Sequence, residues 1–282
     1  MNTPVDGQRL GATAASFTTR LRHPGFLDIL ASEWLKYRRT RIPWVAAGPA
    51  VLVFIFFALL GTLGPGAWGR LDPAGPWHWM LVVLYNWWPL LWTSFGTAIL
   101  AAMAVNQETR SGAWRALRVH PVSPARLYLG KAAALALWNL LSALLFVALV
   151  LATGIVGAGT PVPWRVIFEG AGLVWVSSLP VLVLELWIAS IGGYALAIAT
   201  GGVGLVVGAI LAAGPRWLYM PWSWSLRLLS PVVGVAPNGI PMKPGDPLWN
   251  PHVIPVGIAL SLVVALIAAF AGALWFSRRE VR

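Results

Sequence analysis

An all-α polytopic membrane protein is what this sequence predicts, with six transmembrane helices, an N-terminal amphipathic interfacial helix and both termini cytoplasmic. Three observations carry that expectation. Of the 282 residues, 58% are hydrophobic and only 10% are charged, with a mean hydropathy of +0.74. A soluble domain holds roughly 25% charged residues. Uncharged runs of spanning length recur along the chain, and the basic residues fall unevenly between them. This pattern excludes a water-soluble globule, a disordered chain and a nucleic-acid binder. The absence of cysteine excludes disulfides, thiolate metal sites and a cysteine nucleophile.

Residues 1–23 read as a polar cytoplasmic segment with neither an apolar core nor a cleavage site, so insertion is expected to rest on the first span. Residues 24–42 read as the interfacial helix, and 43–282 as the membrane domain. About 20 apolar residues cross a bilayer. Spans are accordingly expected near 44–63, 80–105, 132–156, 170–190, 192–213 and 253–276. The fourth and fifth lie in one apolar stretch, too long for a single helix and broken at Gly192-Gly193, which suits a tight helical hairpin.

Charge sets the expected orientation. With both termini inside, fifteen of the 20 basic residues fall on the cytoplasmic side and five outside, at Arg70, Arg165, Arg216, Arg227 and Lys243. That bias is what the positive-inside rule describes. Trp44, Trp77, Trp79, Trp164 and Trp275 flank spans at interface depth, where amphipathic rings settle.

Three segments outside the spans are informative. In PGFLDILASEWLKYRRTR, Leu27, Leu30, Trp34 and Leu35 recur at helical spacing. Asp28 and Glu33 come early, and Lys36 and Arg38 late, an order that suits the helix dipole. The segment reads either as a juxtamembrane anchor or as an element that transmits force. The cytoplasmic loop 106–131, NQETRSGAWRALRVHPVSPARLYLGK, sets Trp114 and Leu117 beside Arg110, Arg115 and Arg118. Such a loop is either a basic topology signal or a docking element whose apolar knob and arginines fit a soluble partner. Within it, Ser123 reads as an N-cap and Pro124 as the first helical residue. The external segment 214–252 is rich in Pro, Gly and Trp; Trp217, Trp222 and Trp224 read as short helices dipping into the outer leaflet, or as an aromatic belt.

These features together resemble the permease subunits of ABC-2 type transporters. The likeness rests on SEWLKYRRTR entering the first span and on the loop pattern, in which Glu108, Gly112, Pro121, Ser123, Leu127 and Lys131 occupy the family's places. Pro124 stands where the family often has arginine, with Arg126 nearby. The Glu-Trp-Leu-Lys opening is most similar to permeases of bacteriocin or antimicrobial-peptide immunity. The resemblance implies a coupling helix in the 106–131 loop, seated on a cytosolic ABC ATPase subunit. Glu108, Arg110, Gly112, Trp114, Arg115, Leu117 and Arg118 would form it. It also implies a second permease copy or paralogue, an external cap of short re-entrant helices, export across a prokaryotic cytoplasmic membrane, and ATP and Mg held by the partner. The chain has no Gly-x-x-x-x-Gly-Lys-Ser/Thr loop to cradle phosphates, so it is expected to bind no cofactor and to be no enzyme.

Several residues remain. Glu185 is the one carboxylate inside a span, and reads either as a structural partner or as a proton- or substrate-coupling group. Gly204 and Gly208 form a small-xxx-small pair that serves either an interface between permease halves or packing within one chain. Pro180, after Ser177 and Ser178, is expected to kink the fourth span. His78 and His252 share the external side with the tryptophans and prompt an alternative, a haem-handling or other non-ABC membrane protein. No residue set suggests a metal site.

Overall fold

The computed structural model describes residues 24–61, 74–110 and 123–278, with only the backbone at 60, 61, 109 and 110. Helix α1 (Phe26–Arg38) precedes α2 (Ile42–Gly61). Then come α3 (Pro76–Leu91), a π-helical turn (Trp92–Gly96) and α4 (Thr97–Arg110), which form one continuous rod. Helix α5 (Pro124–Ala158) and the long α6 (Trp164–Ala212) follow. A 3₁₀ turn (Pro215–Tyr219), α7 (Pro221–Leu229), a second π turn (Ser230–Gly234) and α8 (Val253–Arg278) complete the chain. The described residues contain no β-strand, only an isolated bridge between Val235 and Pro241. Five segments are long and apolar enough to cross a membrane: residues 42–59, 76–108, 124–158, 164–212 and 253–278.

The start of α5 is capped as its sequence suggests, with the Ser123 side chain accepting from the Arg126 N–H at 3.4 Å and Pro124 in the first turn. Helix α6 is not one rod. At helical rise its 49 residues would extend roughly 74 Å, more than twice the ~30 Å hydrocarbon core. Gly193, at φ 74° and ψ −163°, breaks it. A side chain is strained at such a φ, and a Cβ on the neighbouring Gly192 would strike Leu196. The two arms fold back so closely that Thr200 Oγ1 donates to Glu185 Oε2 at 2.8 Å. The chain therefore reverses direction at the glycine pair.

Two local features shape the helices within the bundle. The backbone stays helical through Pro180, and Ser177 and Ser178 donate to the carbonyls of Leu173, Val174 and Trp175. The carbonyl that the missing proline N–H frees belongs to Val176, which these hydroxyls do not serve. The π turn in the second span is unanticipated. It follows Pro89 inside α3, and Gly96 leaves room for the Trp92 ring, which a Cβ there would meet at 2.2 Å. The Trp92 indole then donates to Asn139 Oδ1 at 2.8 Å, and Asn139 Nδ2 to Ser178 Oγ at 2.7 Å, joining the π turn, α5 and α6 through a buried polar chain.

Candidate functional site: a buried ion ring at the α1 end

Helix α1 presents to the bundle a stripe different from its leucines. Ile29, Glu33 and Tyr37, one turn apart, are buried, while Leu27 and Leu35 are exposed at 75% and 54%. Leu30 and Trp34 flank the buried stripe, and Trp34 stacks on Trp138 of α5 with ring centroids 4.6 Å apart. The backbone of α5 lies close because residue 130 is glycine; a Cβ there would meet Ile29 at 2.6 Å. A glutamate is on the inner face because charge, not apolar area, fixes that part of the contact.

Glu33 meets three further charged groups. Lys36 Nζ lies 2.7 Å from Glu33 and 2.7 Å from Glu108 of α4. Lys131 Nζ of α5 lies 3.2 Å from Glu33 and also pairs with Glu108. Each lysine thus bridges both carboxylates, giving a closed ring of alternating sign and zero net charge. Lys131 also donates to the Tyr37 hydroxyl at 3.4 Å. Lys131, Glu108 and Glu33 have side chains only 5–8% exposed, and Lys36 is the member open to solvent at 28%. Buried ions are tolerated only when paired and hydrogen-bonded, which the ring achieves.

Burial raises the Glu33 carboxyl, but Lys131 and then Lys36 outweigh it and hold it below its ordinary value. Burial pushes the Tyr37 hydroxyl well above its ordinary range, so it stays neutral. A carboxyl depressed on folding contributes stability that is present above its unfolded value near 4.5 and lost as pH falls through the folded one. Thermal unfolding of the purified chain should therefore be insensitive to Glu33 between pH 7 and 5 and weaken on further acidification. Glu33→Gln should flatten that acid limb; an unchanged limb would count against the ring.

The ring joins the two roots of the loop. Glu108 sits at the end of α4 and Lys131 near the start of α5, and α1 is clamped to both. Glu33, Trp34, Lys36 and Glu108 were visible as candidates, with Leu30 beside them. Arg38 is exposed on α1 beyond the ring. Gly112, Trp114, Arg115, Leu117, Arg118 and the Arg110 side chain lie outside the described residues. Lys131 was visible only as a position of the family likeness, and Tyr37 not at all. Their signal is a lysine inside the first turns of an apolar span, paired with a glutamate closing the span before it.

At the opposite end, Trp217 and Trp224 are buried, with the Trp224 indole donating to the Trp217 carbonyl at 2.9 Å. They pack with Leu173, Leu228 and Val253, so they are core side chains and not an open aromatic belt. Trp222 lies across Gly204 and Gly208, where added Cβ atoms would approach its ring to 2.2 Å and its backbone to 2.8 Å. That small-residue surface is filled by the same chain. Glu185 is fully buried between the hairpin arms; Thr200 serves one oxygen, and the Trp222 indole is turned toward the carboxyl without closing a hydrogen bond. Among the described residues, no group of three or more His, Asp or Glu side chains could hold a metal ion.

Residues 29–208 match the family described as ABC-2 family transporter protein. No curated protein matches, and no solved structure matches. The matched region runs from α1 through the second arm of α6 and includes every member of the ion ring.

Proposed function

The chain belongs to the ABC-2 transporter family, and from that premise we propose that it is the membrane-spanning permease subunit of an ABC-2 exporter. It works in a prokaryotic cytoplasmic membrane with the α1 end and both termini inside. The hairpin in α6 brings the crossings to six. ATP and Mg are held by separate cytosolic ABC ATPase subunits, and a second permease copy or paralogue completes the path. The substrate is amphipathic or hydrophobic, in the class of antimicrobial peptides, lipids and hydrophobic drugs.

The observation that supports this reading is the ion ring at the roots of residues 111–122. A soluble motor that grips those residues would move α4 and α5 directly, and α1 with them, because Lys36 and Lys131 bind both carboxylates. The basic, tryptophan-bearing sequence of that loop supplies an electrostatic and apolar handle for such a motor. Reversing both Arg115 and Arg118 to glutamate should abolish co-purification of the ATPase and reduce substrate-stimulated hydrolysis at least tenfold. A complex that assembles and hydrolyses normally with both reversed would show that the motor docks elsewhere.

A further inference from the structure

The junction between α1 and α2 carries charge that the ion ring does not use. Arg38 ends α1, Arg39 caps it and Arg41 precedes α2, and all three are exposed. None makes an ion pair among the described residues, whereas Lys36, two residues before Arg38, is consumed in the ring. The turn itself is built. Arg39 N–H bonds the Lys36 carbonyl at 3.3 Å, Thr40 N–H the Tyr37 carbonyl at 3.0 Å, and Thr40 Oγ1 accepts from Ile42 N–H at 3.1 Å. The three guanidinium groups therefore leave a fixed elbow and not a free tail.

Two things place the elbow at headgroup depth. Helix α2 is a membrane-spanning candidate that begins at Ile42, so Arg41 stands at the point of entry, with Arg38 and Arg39 at the near side of the same short turn. The outward side of α1 also carries uncovered apolar side chains, Leu27 at 75% and Leu35 at 54%, beside the exposed Asp28 and Ser32, and Trp44 of α2 is exposed at 79%. Apolar side chains of this kind insert in the acyl boundary, and a tryptophan one turn into a span sits at the interface. The positive end of the 20-residue α2 points the same way and adds to the attraction for anions.

We propose that Arg38, Arg39 and Arg41 form a recognition surface for anionic phospholipid headgroups in the leaflet where α1 lies, with Leu27, Leu35 and Trp44 seated among the acyl chains. The occupant is lipid and not the soluble motor, because apolar side chains share the surface and the charge lies at the entry to a span. The inner face of the same helix holds Glu33, Lys36 and Tyr37, so lipid bound outside steadies the helix that carries half of the ring. This site stands whether or not the assignment of residues 111–122 to a motor is right.

The test uses the purified full-length chain, equilibrated with phosphatidylglycerol and phosphatidylcholine and weighed by native mass spectrometry. Wild type should retain phosphatidylglycerol in preference to phosphatidylcholine. Replacing all three arginines by glutamine should lower that preference by about a hundredfold, at the ordinary worth of a basic residue near an anionic surface. Replacing all three by lysine should keep it within threefold, which separates lost charge from lost fold. Arg126→Gln, an exposed arginine of α5, should leave it unchanged. Millimolar glycerol phosphate should not displace the lipid, since a free headgroup lacks the acyl contacts. Equal phosphatidylglycerol preference in the glutamine triple variant would overturn the proposal. So would displacement by the free headgroup, or a triple variant that keeps its lipid and loses only a soluble ATPase.

Discussion

Lys131→Met is expected to destabilise the chain by about 3–5 kcal/mol, the usual consequence of removing one partner from a buried ion pair. Lys131 is the most enclosed cation of the ring, and it faces both Glu33 and Glu108. Without it, two carboxylates with side chains 5–8% exposed share Lys36 alone. The damage comes from the charges left behind more than from the lost attraction. The double variant Lys131→Met with Glu108→Gln should therefore recover at least half of the loss, since Glu33 and Lys36 then remain as a neutral pair on α1. Chemical or thermal unfolding of the purified single and double variants reads this directly. Additive losses would contradict a ring, because residues within one charge network do not behave independently.

Trp222→Ala should produce the second large effect, at the other end of the molecule. Tryptophan truncation in a packed site costs about 3–5 kcal/mol, and the half-buried Trp222 belongs at the lower edge of that range. Its indole fills the surface of Gly204, so Gly204→Leu should be damaging for the complementary reason, overpacking against the ring. Combining Gly204→Leu with Trp222→Ala should be milder than the sum, because the new side chain enters the space that the old one vacates. Limited proteolysis of residues 214–252 gives the readout: each single variant should release that segment and the pair should restore protection. Equal cleavage in the wild type and in Trp222→Ala would mean that the segment is held by other contacts.

These two sites differ in how far the sequence announces them. The hairpin was legible because an apolar stretch longer than any single span carries a glycine pair near its middle, and Gly193 takes a φ that only glycine adopts without strain. The N-cap at Ser123 was legible because capping is local chemistry. Helix α1 was legible as a helix but not in its orientation. Its leucines trace an apolar stripe, yet the inner face follows Ile29, Glu33 and Tyr37, because ion partners 72 and 98 residues away decide which side turns inward. Spacing along one helix cannot reveal such partners. The same holds for Gly204 and Gly208, whose small size was visible while the tryptophan that covers them was not. The π turn at Trp92 depends on a proline, a glycine and an asparagine on another helix, a combination with no one-dimensional period.

The turn at Gly193 also bears on how the chain enters the membrane during synthesis. Between Glu185 and Arg216 there is no charged residue, so no lysine or arginine is available to pin that turn to either face. Its two arms are held instead by each other, through Glu185 and Thr200, and by close approach of Gly201 to the backbone at Ser94. An arm released alone into lipid would carry the Glu185 carboxylate without its hydroxyl partner. The pair is therefore suited to leave the insertion machinery together, as a preformed unit.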